Sequence, residues 1–353
     1  MIKVKVSHDV PLAEYTSLKA GGPAQTLVEL EAGDDLQAVI ADRQKQGPLW
    51  VLGFGTNCLI SNQGLPGNVI VNKIGAIEKL SPTLLKVDSG LNWDDFVQAV
   101  IKDNLWGIEF MSGIPGGVGA AVAGSITAYG HKVADTLIEA EIFDPSDSTV
   151  EVWPNAKLDL LYRTSALHRP GNLHLIVLNA TFELSQEATG ELEYESALRV
   201  AREMGIGPDS LDQRRQIIME TRRQAGSLLQ DIAAGPWTAG SFFKNPAIQP
   251  DQLPKLLKFE ERPVVRDRLL HQTSLQGQGE VRAPAAHVLL AAGFKRGQTW
   301  GNVRLHPDHI LKIENLGSAT AQEIYAVVQN IITTVRQKLG ITLEPEVRFL
   351  GEF

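Results

Sequence analysis

GIEFMSGIPGGVGAAVAGSITAYG, residues 107–130, is the stretch from which the rest of this chain is best read. Glycines at 107, 113, 116, 117, 119, 124 and 130, with Pro115 among them, interrupt a run of small apolar residues. An ordinary buried element has no need of them. Glycine lacks a Cβ, so it takes positive φ at little cost and lets another group come close to the main chain. A Gly-rich turn opening into an Ala/Val segment therefore predicts a backbone cradle for a phosphate or cofactor, because amide N–H groups at such places have no protein acceptor. Two tight turns ahead of a buried helix are the plainer alternative.

A second Gly-rich segment lies upstream. Residues 50–60, WVLGFGTNCLI, read as an apolar strand that stops at Gly53 and Gly55, with Thr56 and Asn57 as short polar turn residues. Neither segment has the glycine spacing and downstream acid of the Rossmann dinucleotide fingerprint, and neither has the P-loop lysine followed by Ser or Thr. Two separate cradles suit a long ligand such as a dinucleotide better than a single phosphate.

Composition narrows the class. At 353 residues, 43% hydrophobic and 21% charged, the chain has the length of two or three globular domains. A formal net charge of -8 argues against a broad nucleic-acid or anionic-membrane surface, while leaving room for a local positive pocket. The opening residues MIKVKVSHDVPLAEYTS lack the apolar core of a secretory signal, and no run approaches the ~18 apolar residues of a membrane helix. No membrane insertion and a cytoplasmic location are the expectation. The single cysteine, Cys58, forms no internal disulfide, and the eight histidines show no metal-binding spacing, so no metal is expected. Cys58 sits in the first Gly-rich loop as either a small buried residue beside the ligand or a reactive thiol.

Periodicity predicts an α+β chain. A helix over 34–46, with Leu36, Val39 and Ile40 at helical spacing, lies among the short apolar runs LVEL, WVLGFG and NVIVNKI. Further β-rich segments (LLKVDSG, EAEIFDP, LHLIVLNATFEL) surround a helix over 92–103. Residues 187–230 are more polar, and the charge of LDQRRQIIMETRRQAG reads as a solvated helical face at a boundary between regions. Lys255 to Arg282 is charged enough to be a surface excursion. Thr320 to Leu339 is the clearest helix, with a Thr320/Glu323 capping box, one apolar stripe (Ile324, Val327, Val328, Ile331, Val335, Leu339) and Gly340 as its stop.

Several stretches taken in order resemble the UDP-N-acetylenolpyruvoylglucosamine reductase (MurB) family over nearly the whole chain: YTSLKAGGPA (15–24), VLGFGTNCLI (51–60), GIEFMSGIPGGVGAAV (107–122), AYG (128–130), YRTS (162–165), AGSFFKNP (239–246) and GITLEPEVRFLG (340–351). The resemblance implies a two-subdomain FAD-binding fold of the vanillyl-alcohol-oxidase/PCMH type, over 1–72 and 73–190, and a connecting, substrate-capping region over 191–235. A substrate-binding α+β domain follows over 236–353, its extreme C-terminus returning towards the FAD domain. It also implies FAD as cofactor, NADPH as reductant and a UDP-sugar enolpyruvyl ether as substrate, in a cytoplasmic monomer of peptidoglycan precursor synthesis.

The same resemblance assigns residues. FAD is expected at Gly53, Phe54, Gly55, Thr56, Asn57, Cys58, Gly113, Ile114, Pro115, Gly116, Gly119, Ser125, Ala128, Tyr129 and Gly130. Ser241 is expected to donate a proton, with Arg163 and Glu346 stabilising the charge that builds on the substrate carboxylate. Tyr194, Lys244, Asn245 and Arg348 are expected to hold substrate. Each residue taken singly has a plainer role: Ser241 as a helix cap, Arg163 as the partner of a surface carboxylate, Glu346 as the partner of Arg348, and Tyr194 as a structural tyrosine. Two departures stand out. Ser125–Ile126–Thr127 replaces the Asn-Ala/Ile-Gly triplet usual in the family, and Gln224–Ala225–Gly226 follows Arg222–Arg223 where many members carry a lysine. An FAD enzyme acting on another substrate and a non-catalytic flavin or nucleotide module are the competing functions. Co-occurrence of Arg163, Ser241 and Glu346 favours the enolpyruvyl chemistry over both.

Overall fold

The computed structural model describes residues 4–31, 33–228, 237–249, 251–259, 266–267, 270 and 281–353. The chain divides into two compact units, one of Met1–Val10, Ala24–Gly55 and Leu65–Gln230, the other of Pro11–Pro23, Thr56–Gly64 and Asp231–Phe353. Both mix helices and sheets, as the α+β expectation has it.

The first unit holds two sheets. In one, Leu65–Asn72 lies between Pro23–Leu30 and Leu49–Leu52 and runs parallel to both, with Lys5–Pro11 at the edge. Parallel strands are covered on both faces, which is why NVIV is a continuous apolar run. The helix expected over 34–46 is α-helical over Leu36–Arg43 and ends in a 3-10 turn, Gln44–Gln46. Asp35 Oδ1 accepts the Ala38 N–H at 2.9 Å and so sets its start. Its Leu36, Val39 and Ile40 pack with Val28, Leu30, Ile70 and Phe143.

The second sheet is antiparallel, in the order Thr149–Pro154, Leu137–Asp144, Ile176–Glu183, Leu84–Asp88, Ile77–Lys79. Helix Trp93–Lys102, started by Asn92 Oδ1 accepting from the N–H groups of Asp94 and Asp95, closes its core. There Trp93, Phe96 and Phe182 pack ring to ring, with centroids 5.0 to 6.2 Å apart. Helices Glu195–Met204 and Leu211–Gln224 form a satellite cluster with Phe110 through Ala197, Val200, Ile217 and Ile218.

The expectation of a solvated face on Leu211–Gln224 is only half met. Arg223 and Gln224 are exposed, but Arg214 is 7% exposed. It falls on the apolar stripe with Leu211, Ile217, Ile218 and Thr221, and it is buried because a carboxylate is buried with it.

In the second unit an antiparallel sheet runs Trp237–Ser241, Lys312–Asn315, Val303–Leu305, Thr299–Trp300. Helix Ala321–Leu339 has the expected capping box, apolar stripe and left-handed Gly340 (φ 71°), and it packs its stripe against Phe242, Phe243, Val303 and Ile313. Near the C-terminus, Arg348–Leu350 pairs in parallel with Cys58–Ile60. Most of the excursion expected between Lys255 and Arg282 lies outside the described residues; Leu253–Phe259 is helical.

Candidate active site

The Gly107–Gly130 stretch enters through a 3-10 turn, Glu109–Met111, whose Glu109 is fully buried. Glu109 Oε2 accepts the Gly107 N–H at 2.8 Å, and Oε1 accepts from Arg214 at 2.7 Å. Arg214 also donates to the carbonyls of Thr189, Gly190 and Pro208, and its guanidinium lies 4.8 Å from the Trp106 ring centroid and 4.7 Å from that of Phe110. A second clasp follows. Asp94 accepts the Gly113 N–H at 2.6 Å and both terminal nitrogens of Arg215 at 2.7 Å. Burial by itself raises the Asp94 pKa, but these donors outweigh it and hold the carboxyl below its usual value.

The glycines answer to different demands. A Cβ on Gly119 would lie 2.7 Å from Ser89 Cβ, and one on Gly117 3.0 Å from the Ser89 carbonyl, so those two serve the protein's own packing. At Gly113 a Cβ would meet Met219, Leu228 and Arg222. Gly130, by contrast, faces open space within 4 Å, as does Gly53 upstream. Helix Val118–Ala123 is short and is capped at Gly124, and Ser125, the residue after the cap, takes φ 47° while its N–H donates to the Val122 carbonyl. A left-handed position at a helix end is cheapest for Gly or Asn, so the serine that departs from the family pattern carries backbone strain.

Residues Ala128 to Gly130 form the turn of a hairpin between Thr127–Ala128 and His131–Lys132. Tyr129 (φ 51°) and Gly130 (φ 88°) are both left-handed, the signature of a type I′ turn, where Asn-Gly is the cheap choice. Tyrosine there is strained, and its ring has work elsewhere. It hydrogen-bonds Arg222 and meets Tyr194 edge to face, with centroids 5.6 Å apart. Arg222 Nε is buried and finds no acceptor among the described residues. Burial pulls its guanidinium pKa down, opposed by Tyr129 and Asp94, and the charge of Arg163 pulls it down further. The first unit therefore gathers Gly113, Tyr129, with Tyr194 against its ring, and Arg163 around the Arg222 guanidinium, which has an unused donor. Arg163 is itself left-handed (φ 56°), at the third position of the tight Leu161–Thr164 turn, and donates to the Thr127 carbonyl at 3.4 Å.

In the second unit the decisive local feature is a β-bulge. Thr238 pairs with Glu314, yet Ser241 pairs with Lys312, so Ala239 and Gly240 together oppose Ile313. Gly240 (φ 76°) absorbs the extra residue. In an unbroken register Ser241 would oppose Leu311 and share the core face with Ala239 and Ile313. The bulge turns it to the other face, and Phe242 returns to the core with no exposed surface. Ser241 is thus a strand residue, which removes the helix-cap role.

The far side of the same segment pairs with the C-terminal region. The Glu346 N–H donates to the Phe242 carbonyl at 2.8 Å, and the Lys244 N–H donates to Glu344 at 2.9 Å. Asn57 Nδ2 donates to the Glu346 carbonyl at 3.2 Å, and the Arg348 N–H donates to the Asn57 carbonyl at 3.1 Å. Ser241, Glu346 and Asn57 are therefore brought together by one run of main-chain pairing. Arg163 belongs to the other unit.

Lys244 and Asn245 line a polar cavity of about 410 Å³ with Arg282 and Glu344. Asn245 Oδ1 also accepts the Ala285 N–H at 2.9 Å, so part of that side chain caps helix Ala285–Ala291. Cys58 is buried, and burial pushes its thiol up to about 12, which keeps it protonated and unreactive. In the loop before it, the N–H groups of Gly53, Phe54, Gly55, Thr56 and Asn57 have no acceptor among the described residues, and the same holds for Ile114 and Gly116 in the second loop. Consecutive unpaired amides of this kind are suited to anionic oxygens.

Sequence reading noted Arg222 only as one of an arginine pair beside a departure from the family pattern, and missed Asp94. Arg214 on the apolar stripe of its helix was the available signal that this helix buries arginine.

A family model for the C-terminal domain of UDP-N-acetylenolpyruvoylglucosamine reductase matches residues 230–350, and one for an FAD binding domain matches residues 24–152. The UDP-N-acetylenolpyruvoylglucosamine reductase of Thermobifida fusca is 31% identical over 356 residues, covering 98% of both chains. That of Cutibacterium acnes is 33% identical over 355 residues, covering 98% of this chain and 90% of its own. Among solved structures, the reductase of Thermus caldophilus shares the fold, with a TM-score of 0.65 at 23% identity, covering 99% of this chain and 100% of that one. Among the described residues no helix is long and apolar enough to cross a membrane.

Proposed function

This chain belongs to the UDP-N-acetylenolpyruvoylglucosamine reductase (MurB) family, and we propose that it catalyses the NADPH-dependent, FAD-mediated reduction of UDP-N-acetylglucosamine enolpyruvate to UDP-N-acetylmuramate. The reaction is a step of peptidoglycan precursor synthesis, carried out by a cytoplasmic monomer. On this reading residues 1–72 and 73–190 are the two FAD-binding subdomains, 191–235 connect and cap, and 236–353 bind substrate, with Pro11–Pro23 and Thr56–Gly64 grouping with the C-terminal unit.

The residues present suit FAD. Unpaired amides over Gly53 to Asn57 and at Ile114 and Gly116 would receive its diphosphate, and the open faces of Gly53 and Gly130 leave room for a ligand against the backbone. Tyr129 and the unused Arg222 Nε extend the same cradle with donors. The chemistry a bound flavin supplies is hydride delivery to the enol carbon–carbon double bond, with NADPH as the source of electrons.

The chain's own residues manage charge and proton. Arg163 and Glu346 act on the substrate carboxylate, where charge accumulates once the methylene carbon is reduced. Ser241 Oγ delivers the proton to the adjacent carbon. Lys244, Asn245, Tyr194 and Arg348 hold the sugar nucleotide. The observation carrying this reading is the pairing that links Ser241 and Glu346 through Phe242, with the bulge at Gly240 turning the serine off the core.

The test separates the two halves of the reaction. In Ser241→Ala, NADPH should reduce the flavin at the normal rate, while reoxidation by UDP-N-acetylglucosamine enolpyruvate slows by ~10²-fold or more. Unchanged reoxidation removes Ser241 from the acid role. A wild-type protein whose reduced flavin is never reoxidised by this substrate overturns the activity itself.

A further inference from the structure

Helix Leu211–Gln224 carries four arginines, at 214, 215, 222 and 223. Three of them have a carboxylate each: Glu109 lies 2.7 Å from Arg214, Asp94 2.7 Å from Arg215, and Glu220 2.6 Å from Arg223. Arg222 has none at ion-pair distance among the described residues. Its side chain donates to the phenol oxygen of Tyr129, and its buried Nε–H has no acceptor. Asp94 acts on it through charge alone, because Oδ1 and Oδ2 are taken by Arg215 and the Gly113 N–H. A guanidinium does not give up its proton in a protein, so one held out of water without a counter-charge is unfavourable until an anion meets it.

The surroundings hold this side chain in place. A Cβ on Gly113 would come 3.3 Å from Arg222 Cδ and 2.8 Å from Met219 Sδ, so the loop bearing the unpaired Ile114 and Gly116 amides rests directly on this helix face. Tyr129 keeps a strained left-handed conformation (φ 51°) beside Gly130, where a Cβ would meet nothing within 4 Å. Arg222 thus belongs to the cradle read above as the site of FAD, and Arg163 fixes which end of it. Arg163, read as acting on the substrate carboxylate, is close enough for its charge to pull the Arg222 pKa down. The methylene carbon that takes the hydride adjoins the carbon bearing that carboxylate, and transfer requires the flavin ring in contact with it. The Arg222 end of the cradle is therefore the ring end, away from the diphosphate.

Hydride from NADPH brings one proton and two electrons to the neutral oxidised ring, so the ring is left with one net negative charge and the nicotinamide leaves as NADP⁺. We propose that Arg222 is a flavin-binding residue that stabilises this charge: its guanidinium offers the unused Nε–H to the delocalised anion of the reduced ring, and so holds reduced FAD more tightly than oxidised FAD. The inference rests on the reading of this cradle as the FAD site and of Arg163 as the carboxylate partner. The fourth carboxylate missing from the helix is replaced by the charge of the reduced cofactor.

Two measurements on wild type, Arg222→Met and Arg222→Lys test it: the flavin midpoint potential of the FAD-loaded protein, read against redox dyes, and FAD binding to the apoprotein. In Arg222→Met the hold on reduced FAD should weaken about tenfold relative to oxidised FAD, the scale of one hydrogen bond to a charged group, which lowers the midpoint potential by about 30 mV. Arg222→Lys keeps the charge and should retain most of the potential; a value as low as that of Arg222→Met overturns the inference. So does an unchanged or raised potential in Arg222→Met. Equal weakening of both forms of FAD would then put Arg222 at the diphosphate, and normal FAD binding with a raised KM for UDP-N-acetylglucosamine enolpyruvate would put it at the substrate. Should Arg222→Met fail to fold, ¹⁵N NMR of the wild-type protein decides. Its Arg222 Nε–H signal, assigned with Arg222→Lys, should shift when dithionite reduces the bound FAD, and an unmoved signal overturns the inference. All these outcomes leave the functional reading standing, whereas a wild-type apoprotein that takes up no FAD overturns both.

Discussion

Replacing Gly240 with alanine puts the bulge that aims Ser241 under strain. Gly240 takes φ 76°, and a Cβ built there meets nothing within 4 Å, so the substitution adds no clash and only the left-handed backbone penalty. That penalty is about 1–2 kcal/mol for a non-glycine residue. The chain could escape it by sliding into an unbroken register, but then Ser241 would enter the core face opposite Leu311 and Phe242, now fully buried, would leave it. Loss of a buried phenylalanine costs about 3–5 kcal/mol, and a buried unpaired hydroxyl adds about 1–3 kcal/mol. The slip is therefore dearer than the strain, and the bulge should persist. Gly240→Ala is expected to unfold a few degrees earlier while its flavin reoxidation stays within a few-fold of wild type. Stopped-flow reoxidation and thermal unfolding of the FAD-loaded protein read the two quantities. A loss of reoxidation as deep as that of Ser241→Ala would refute the ledger by showing that the register slips, and an unchanged melting temperature would refute the left-handed geometry.

Three further outcomes follow from the first unit. Glu109→Gln leaves the Arg214 guanidinium buried without its carboxylate, and denaturant unfolding should show a loss of about 3–5 kcal/mol, with Glu109→Gln/Arg214→Met recovering part of it. Because the Asp94 carboxyl is held below 3.8 in the folded state, its contribution is fully present above that pH and is lost as pH falls through the lower folded value. Wild-type stability should therefore fall more steeply than that of Asp94→Asn on acidification below about pH 4, and parallel curves would deny the Arg215 and Gly113 contacts their part. Ser125→Gly should relieve left-handed strain at the end of helix Val118–Ala123 and raise stability by up to about 1 kcal/mol, with a drop in melting temperature as the contrary result.

Much of the chemistry was legible in residue types. The glycines of 107–130 announced left-handed turns, and Gly107, Gly113, Gly116 and Gly130 do take positive φ. The capping box and stripe of Ala321–Leu339 were readable because helix ends and faces are set by side chains a few positions apart. The role of each glycine was not readable. Gly117 and Gly119 are small because of Ser89, a residue far away in sequence, and nothing local distinguishes them from Gly53 and Gly130, which face open space.

What the sequence by itself determined is therefore local: the family, the helices and strands with strong periodicity, and which residue types stand in the motifs. What only the tertiary structure decided is orientation and partnership. Whether Arg214 is solvated or buried depends on Glu109, 105 positions earlier in the chain, meeting it. Whether Ser241 faces core or solvent-side chemistry depends on a register that shifts by one residue at Gly240, and strand register comes from the pairing partner, not from the strand itself.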